Sequence, residues 1–169
     1  NFWAWEQSDF WYKKDLIKEY FAKNSKDIND YIELLLKGNI KLVGFSVNIA
    51  SLYMSYEFAK RLKSQNKDIK IMFGGPLFLN KKYINEVLNS NIVDIVIIGE
   101  GEDSVCKLAA SLANNSDISL APGLAFGKNG AVVITEPAPS IKLDYLPFLD
   151  FTDLPLRDYD DFRHISLIA

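Results

Sequence analysis

Glu100 and Glu102 alternate with Gly99 and Gly101 in the run GEGE, the densest grouping of acid–base side chains on an otherwise apolar background in this 169-residue chain. A carboxylate in such a position can act as general acid, general base or metal ligand when other polar groups converge on it. No histidine stands near these two. The competing reading gives Gly99 and Gly101 unusual backbone angles and sets Glu102 in a first helical turn, where the helix dipole favours negative charge. Two more short segments invite the same double reading. Ser46, Val47 and Asn48, with Ser51, offer hydroxyl and amide groups that can hold a ligand or cap the helix beginning near Leu52. Gly74, Gly75 and Pro76 either let backbone approach a bulky ligand or form a tight turn closed by proline. A phosphate-binding loop is a weaker reading still, because neither G-x-G-x-x-G nor G-x-x-x-x-G-K occurs and the two glutamates would repel phosphate. Cys106, the one cysteine, stands beside Val105 and reads as a small buried hydrophobe. His164, the one histidine, has no Ser–His or Cys–His arrangement around it. No catalytic residue and no metal ligand is assigned.

The elements that must position these segments follow from periodicity. Leu16, Ile17, Tyr20 and Phe21 recur at helical spacing, as do Ile28, Tyr31, Ile32, Leu35 and Leu36, with Gly38 as the stop. The run Ile40–Val47 is short, apolar and nearly continuous, as in a strand covered on both faces. The alternation then repeats: helix Leu52–Gln65, strand Ile69–Phe73, helix Lys81–Asn89, strand Val93–Ile98, helix Glu102–Leu112. This is the pattern of an α/β protein with a doubly wound, mainly parallel sheet. All three polar segments fall at carboxyl ends of predicted strands, where open parallel sheets bind ligands. Two short strands around Lys128, Asn129 and Gly130 make a small C-terminal β-hairpin, expected as an ornament on the sheet edge.

Composition narrows the partners. Nineteen basic against 22 acidic residues give a net charge of −3 and a pI near 5.2, without the basic excess that nucleic-acid binding requires. Asp94 interrupts the strongest apolar run, so no segment approaches the roughly 20 residues of a membrane span. A lone cysteine fits a reducing cytoplasm and cannot by itself hold an iron–sulfur cluster. Phe2, Trp3, Trp5, Phe10 and Trp11 make the N-terminus aromatic and are expected to pack on the helices. From Thr135 the periodicity is broken by Pro137, Pro139, Pro147 and Pro155, which marks a linker. The expected organisation is an N-terminal helical segment over 1–39, an α/β domain with its hairpin over 40–135, and a linker over 136–169. The chain starts at Asn1 without Met and ends in the strand-like HISLIA, as a fragment would.

Taken together, the order VGFSVN, KDIKIMFGGP and VDIVIIGEGE, followed by an amphipathic helix, resembles the cobalamin-binding domain that precedes the catalytic barrel of B12-dependent radical SAM proteins. PGLAFGKNG, LDYLPFLDF and HISLIA look like the bridge into that barrel, so the likeness runs from about Ile40 to Ala169. Its implication is a Rossmann-like (flavodoxin-like) sheet that binds cobalamin at its carboxyl edge. Ser46, Val47, Asn48, Ser51, Gly74, Gly75, Pro76, Gly99, Glu100, Gly101 and Glu102 would line the cofactor. Ser46 and Asn48 would face the lower side of the corrin, and the glycine pair would admit the nucleotide tail. S-adenosylmethionine and a 4Fe-4S cluster would belong to the following radical SAM domain, the implied partner of this one, and the natural chain is expected to continue past Ala169 into three closely spaced cysteines. The family's D-x-H-x-x-G element is absent here, which implies bound cobalamin without a protein imidazole on cobalt. Relatives also carry strands ahead of the segment matching Ile40, so an unpaired sheet edge is implied. Two alternatives stand beside this reading: a ligand-free interaction module, and a stand-alone enzyme that uses Glu100 and Glu102 in a strand-end cleft.

Overall fold

A computed structural model describes residues 9–140 and Thr152. The chain divides into two compact units, Asn1–Pro139 and Ser140–Ala169, and the elements below belong to the first. His164, HISLIA and most of the proline-interrupted tail lie outside the described residues, as do Phe2, Trp3 and Trp5.

Helices α1 (Lys14–Lys23) and α2 (Ser25–Lys37) lead into strand β1 (Leu42–Ser46). Helix α3 (Leu52–Gln65), strand β2 (Lys70–Gly74), helix α4 (Lys81–Leu88), strand β3 (Ile95–Ile97) and helix α5 (Glu102–Ala113) follow. Strands β4 (Leu124–Lys128) and β5 (Ala131–Ile134) close the series. The sheet order is β1-β2-β3-β4-β5, with β1, β2 and β3 parallel and the last two strands antiparallel. Among the described strands the order does not reverse.

Side-chain alternation splits the core into two layers. Ile71, Phe73, Val96 and Ala125 pack with Leu62 of α3 and Ile84 of α4 on one face, while Ile95, Ile97, Leu124 and Phe126 pack with Leu108 of α5 on the other. Helices thus cover both faces of an α/β sheet. Phe45 meets Phe73 edge-on, ring centroids 5.3 Å apart. The N-terminal aromatic residues that are described pack as expected: Phe10 is buried, with Ile17 and Phe21, against Tyr53, Met54 and Phe58 of α3.

Two local expectations change. Gly38 does follow α2, but at φ −75°, and it is Asn39 that takes the left-handed conformation, at φ 52°. The hairpin is more than an ornament. Asn129 and Gly130 both have positive φ, as a type I′ turn requires, yet β4 pairs with β3 and buries Leu124, Ala125 and Phe126. An apolar triplet on the inner strand of a hairpin is core material whether or not the hairpin lies at the end of the sheet.

Asp94 joins three elements at the amino ends of the strands. Its Oδ2 accepts the Ile71 amide at 2.7 Å and lies 2.7 Å from Lys63 Nζ, while Lys70 Nζ stands 3.6 Å from Oδ1. The residue that broke the apolar run is therefore a tie between α3, β2 and the entry to β3.

Candidate functional site

The three parallel strands end on one edge of the sheet, and small residues terminate two of them: Ser46 of β1 is in register with Gly74 of β2. The loops 46–51, 74–80 and 98–102 surround this shelf. Exposed there are Ser46, Asn48, Ile49, Pro76, Leu79, Gly99, Glu100 and Glu102. The fold thus brings all three predicted segments to one edge.

Their roles within that edge differ. Val47 is fully buried and its side chain belongs to the core. Its backbone N–H donates to Gly74 O at 2.7 Å, stitching the first loop to the second. Asn48 and Ser51 bind each other: Ser51 N–H donates to Asn48 Oδ1 at 2.9 Å and Asn48 N–H donates to Ser51 Oγ at 3.0 Å. Ser51 stands at the N-cap position of α3 without a side-chain cap bond of its own, and the pair forms the reciprocal arrangement of a capping box across the turn that leads into the helix.

Gly75 has φ 107°, and a Cβ there would lie 2.6 Å from Val47 O and 3.0 Å from Val47 N. Its need for glycine comes from the backbone of Val47, which favours the tight-turn reading at this position. Gly74 and Gly99 are different. A Cβ on Gly74 would make only an ordinary 3.5 Å contact with Ile97, and one on Gly99, at φ 81°, would meet nothing within 4 Å. Gly99 alone leaves open room above its backbone, while the Cβ position of Gly74 is in contact with a core residue.

Gly101 precedes α5 and Glu102 is the first residue of that helix, exposed and without a salt bridge among the described residues. Glu100 is exposed beside it, whereas Asp103 pairs with Lys107 at 2.7 Å. No group of three or more metal-ligating side chains exists among the described residues. No helix among them is long and apolar enough to cross a membrane.

Cys106 is exposed, which corrects its assignment to the core. The inner face of α5 is formed by Ser104, Val105, Leu108 and Leu112, and Cys106 lies on the opposite side, because adjacency to Val105 means a 100° turn around a helix. As an exposed thiol, and the sole one in the chain, it should take up close to one equivalent of a maleimide from the folded protein within minutes at neutral pH. Labelling that needs denaturant would contradict this placement.

Sequence reasoning missed Ile49 and Leu79, 47% and 70% exposed on the loops beside the shelf. Large apolar residues in strand-end loops carry no periodic signal. A separate cavity of about 220 Å³ lies on the helical layer, lined by Lys14, Tyr53, Tyr56 and Glu86 among others, away from the shelf glycines.

Comparison with known proteins gives this edge a context. The family model of the B12 binding domain matches residues 17–109. An uncharacterized methyltransferase of Pyrococcus horikoshii is 27% identical over 134 residues, which is 78% of this chain and 28% of that protein. The anaerobic magnesium-protoporphyrin IX monomethyl ester cyclase of a Synechocystis strain is 28% identical over 101 residues, 60% of this chain and 20% of its own length. The chain therefore spans about a quarter of the curated relatives it matches. Among solved structures, the radical S-adenosylmethionine methyltransferase TsrM of Kitasatospora setae, with cobalamin and a 4Fe-4S cluster bound, aligns at a TM-score of 0.48 and 18% identity, covering 82% of this chain and 23% of that one. The family model alone covers more than half of the sequence, and the chain belongs to the B12-binding domain family.

Proposed function

We propose that this domain holds cobalamin on the shelf formed by Ser46, Gly74 and Gly99 and presents the corrin to chemistry in a radical SAM barrel of the same parent chain. The observation that carries the reading is the open backbone at Gly99 beside the small residues Ser46 and Gly74 that end neighbouring strands, where a wide ring can lie close to the strand ends. Val47 and Gly75 support the site by joining its first two loops, and Asn48, Ser51 and Pro76 fix their shape. Glu100 and Glu102 offer carboxylate oxygens to the carboxamide N–H groups on the rim of the corrin, and Gly101 shapes the turn between them. Cobalamin supplies the organometallic chemistry when bound; the residues of this domain bind and orient it. S-adenosylmethionine and the iron–sulfur cluster belong to the parent's barrel, and the lone cysteine suits a reducing compartment such as the cytoplasm. In domain terms, α1 and α2 fall within the residues 17–109 that match the family, and the proline-interrupted segment from residue 136 is read as the linker toward that barrel.

Incubation with hydroxocobalamin, removal of free ligand and a visible spectrum test the reading. The unaltered chain should retain close to one equivalent. Gly74→Val should weaken retention at least about tenfold, a loss of about 1.4 kcal/mol of binding, while its melting temperature falls by only a few degrees, because the new Cβ would make an ordinary 3.5 Å contact with Ile97 at the end of the strand. No retention by the unaltered chain would overturn the proposal.

A further inference from the structure

The cavity where α1, α3 and α4 meet brings together two opposite charges that the fold leaves unpaired. Its volume is about 220 Å³, and its floor is Leu52 and Val87 of the main core. Lys14 of α1, Tyr53 and Tyr56 of α3 and Glu86 of α4 supply the polar wall. The neighbouring lysines all have partners, since Lys13 pairs with Asp9, Lys18 with Asp15 and Lys23 with Glu19. Lys14 has no carboxylate partner among the described residues, and its ammonium stands 6.0 Å from the centre of the Tyr56 ring. It is also the first residue of α1, where the helix dipole disfavours a cation. Glu86 lies one helical turn after Lys82 on α4 and forms no ion pair with it or with any other described residue. Neither phenol oxygen makes a hydrogen bond among the described residues.

These features select a ligand by charge and by size. A simple anion would meet Glu86 and a simple cation would meet Lys14, whereas a molecule carrying both charges satisfies both walls. The space equals about seven water volumes and falls below the roughly 300–1,000 Å³ of drug-sized sites, so the ligand is small. We propose that this cavity binds a small aliphatic α-amino acid, with its carboxylate on Lys14 and a tyrosine hydroxyl, its ammonium on Glu86 and its side chain against Leu52 and Val87. This site is separate from the strand-end shelf, and it does not depend on the cobalamin-binding reading.

The test titrates the isotope-labelled full chain with L-leucine and follows backbone amide shifts by nuclear magnetic resonance. The expected result is saturable shifts centred on Lys14, Tyr53, Tyr56 and Val87. Two partial ligands separate the charges: 4-methylpentanoate is leucine without its ammonium, and 3-methylbutylamine is leucine without its carboxylate. Each should bind at least tenfold more weakly than leucine. Lys14→Met should weaken leucine at least tenfold and leave 3-methylbutylamine unchanged, while Glu86→Gln should weaken leucine at least tenfold and leave 4-methylpentanoate unchanged. Both positions are exposed, so both variants should keep the parent's melting curve; should either fail to fold, the comparison of leucine with its two partial ligands on the unaltered chain decides. No saturable shifts with leucine, shifts centred elsewhere, partial ligands that bind as well as leucine, or folded variants that keep leucine affinity would each overturn the inference. Hydroxocobalamin retention, measured separately on the same protein, tests the shelf, and its failure leaves this site standing.

Discussion

Gly75→Val should destabilise the domain by about 3–5 kcal/mol and lower its melting temperature by about 10 °C or more, whether or not cofactor is present. Two costs add. At φ 107° a β-branched residue is strained by about 1–3 kcal/mol, and its Cβ would stand 2.6 Å from Val47 O. Val47 cannot retreat. Its N–H holds Gly74 O at 2.7 Å and its side chain is fully buried in the core, so relief at one contact breaks another. The comparison variant is Gly99→Ala, where φ is also positive but nothing lies within 4 Å, and about 1 kcal/mol is expected. A thermal melt of the two variants beside the unaltered chain separates close backbone packing from mere backbone preference. A Gly75→Val protein that melts within about 2 °C of its parent would refute the argument.

Gly75 also marks where the sequence was legible and where it was not. The run Ile69–Phe73 announced a buried strand because continuous apolar character is what a sheet covered on both faces demands, whereas Ile40–Val47, equally apolar, supplies the edge strand β1 and buries only Val47. The glycine pair announced an unusual turn. What no single sequence states is which atoms crowd a glycine: Gly74 has Ile97 at ordinary contact distance and Gly75 faces the backbone of a residue 28 positions earlier. The same limit applies to Cys106, whose neighbour Val105 packs inward while the thiol does not. It applies to Asn48 and Ser51 as well, whose residue types fitted capping better than ligand binding and which bind each other reciprocally across the turn before α3. Residue type reports chemical capacity, whereas direction depends on the turn of the helix or loop that carries it. Ile49 and Leu79 were invisible for the complementary reason, since apolar residues in a loop belong to no pattern that sequence can read.

Asp94→Ala is expected to cost about 2–3 kcal/mol, from the opposite end of the sheet and with the shelf untouched. In sequence Asp94 merely breaks an apolar run; in the fold its carboxylate accepts the Ile71 amide at 2.7 Å and pairs with Lys63 at 2.7 Å, with Lys70 at 3.6 Å. The side chains of Asp94 and Lys63 are 23% and 15% exposed, so water screens the pair only in part. Full burial would put the loss from removing one partner at about 3–5 kcal/mol, and the residual exposure brings it below that. The loss has two components that different variants separate. Asp94→Asn keeps an oxygen for the Ile71 amide and gives up the charge, and should recover about half of the loss. Lys63→Met keeps the apolar stem on α3 and removes only the ammonium, so it should cost about 1–2 kcal/mol. Raising the salt concentration should narrow the gap between the parent and Lys63→Met more than the gap between Asp94→Asn and Asp94→Ala, because screening acts on the ion pair and hardly on the amide bond. Urea unfolding of the four proteins at two salt concentrations measures all of this. An Asp94→Ala variant within about 0.5 kcal/mol of its parent would mean that the backbone bond from Asp94 N–H to Ile71 O, at 2.9 Å, holds the two strands together without help from the side chain.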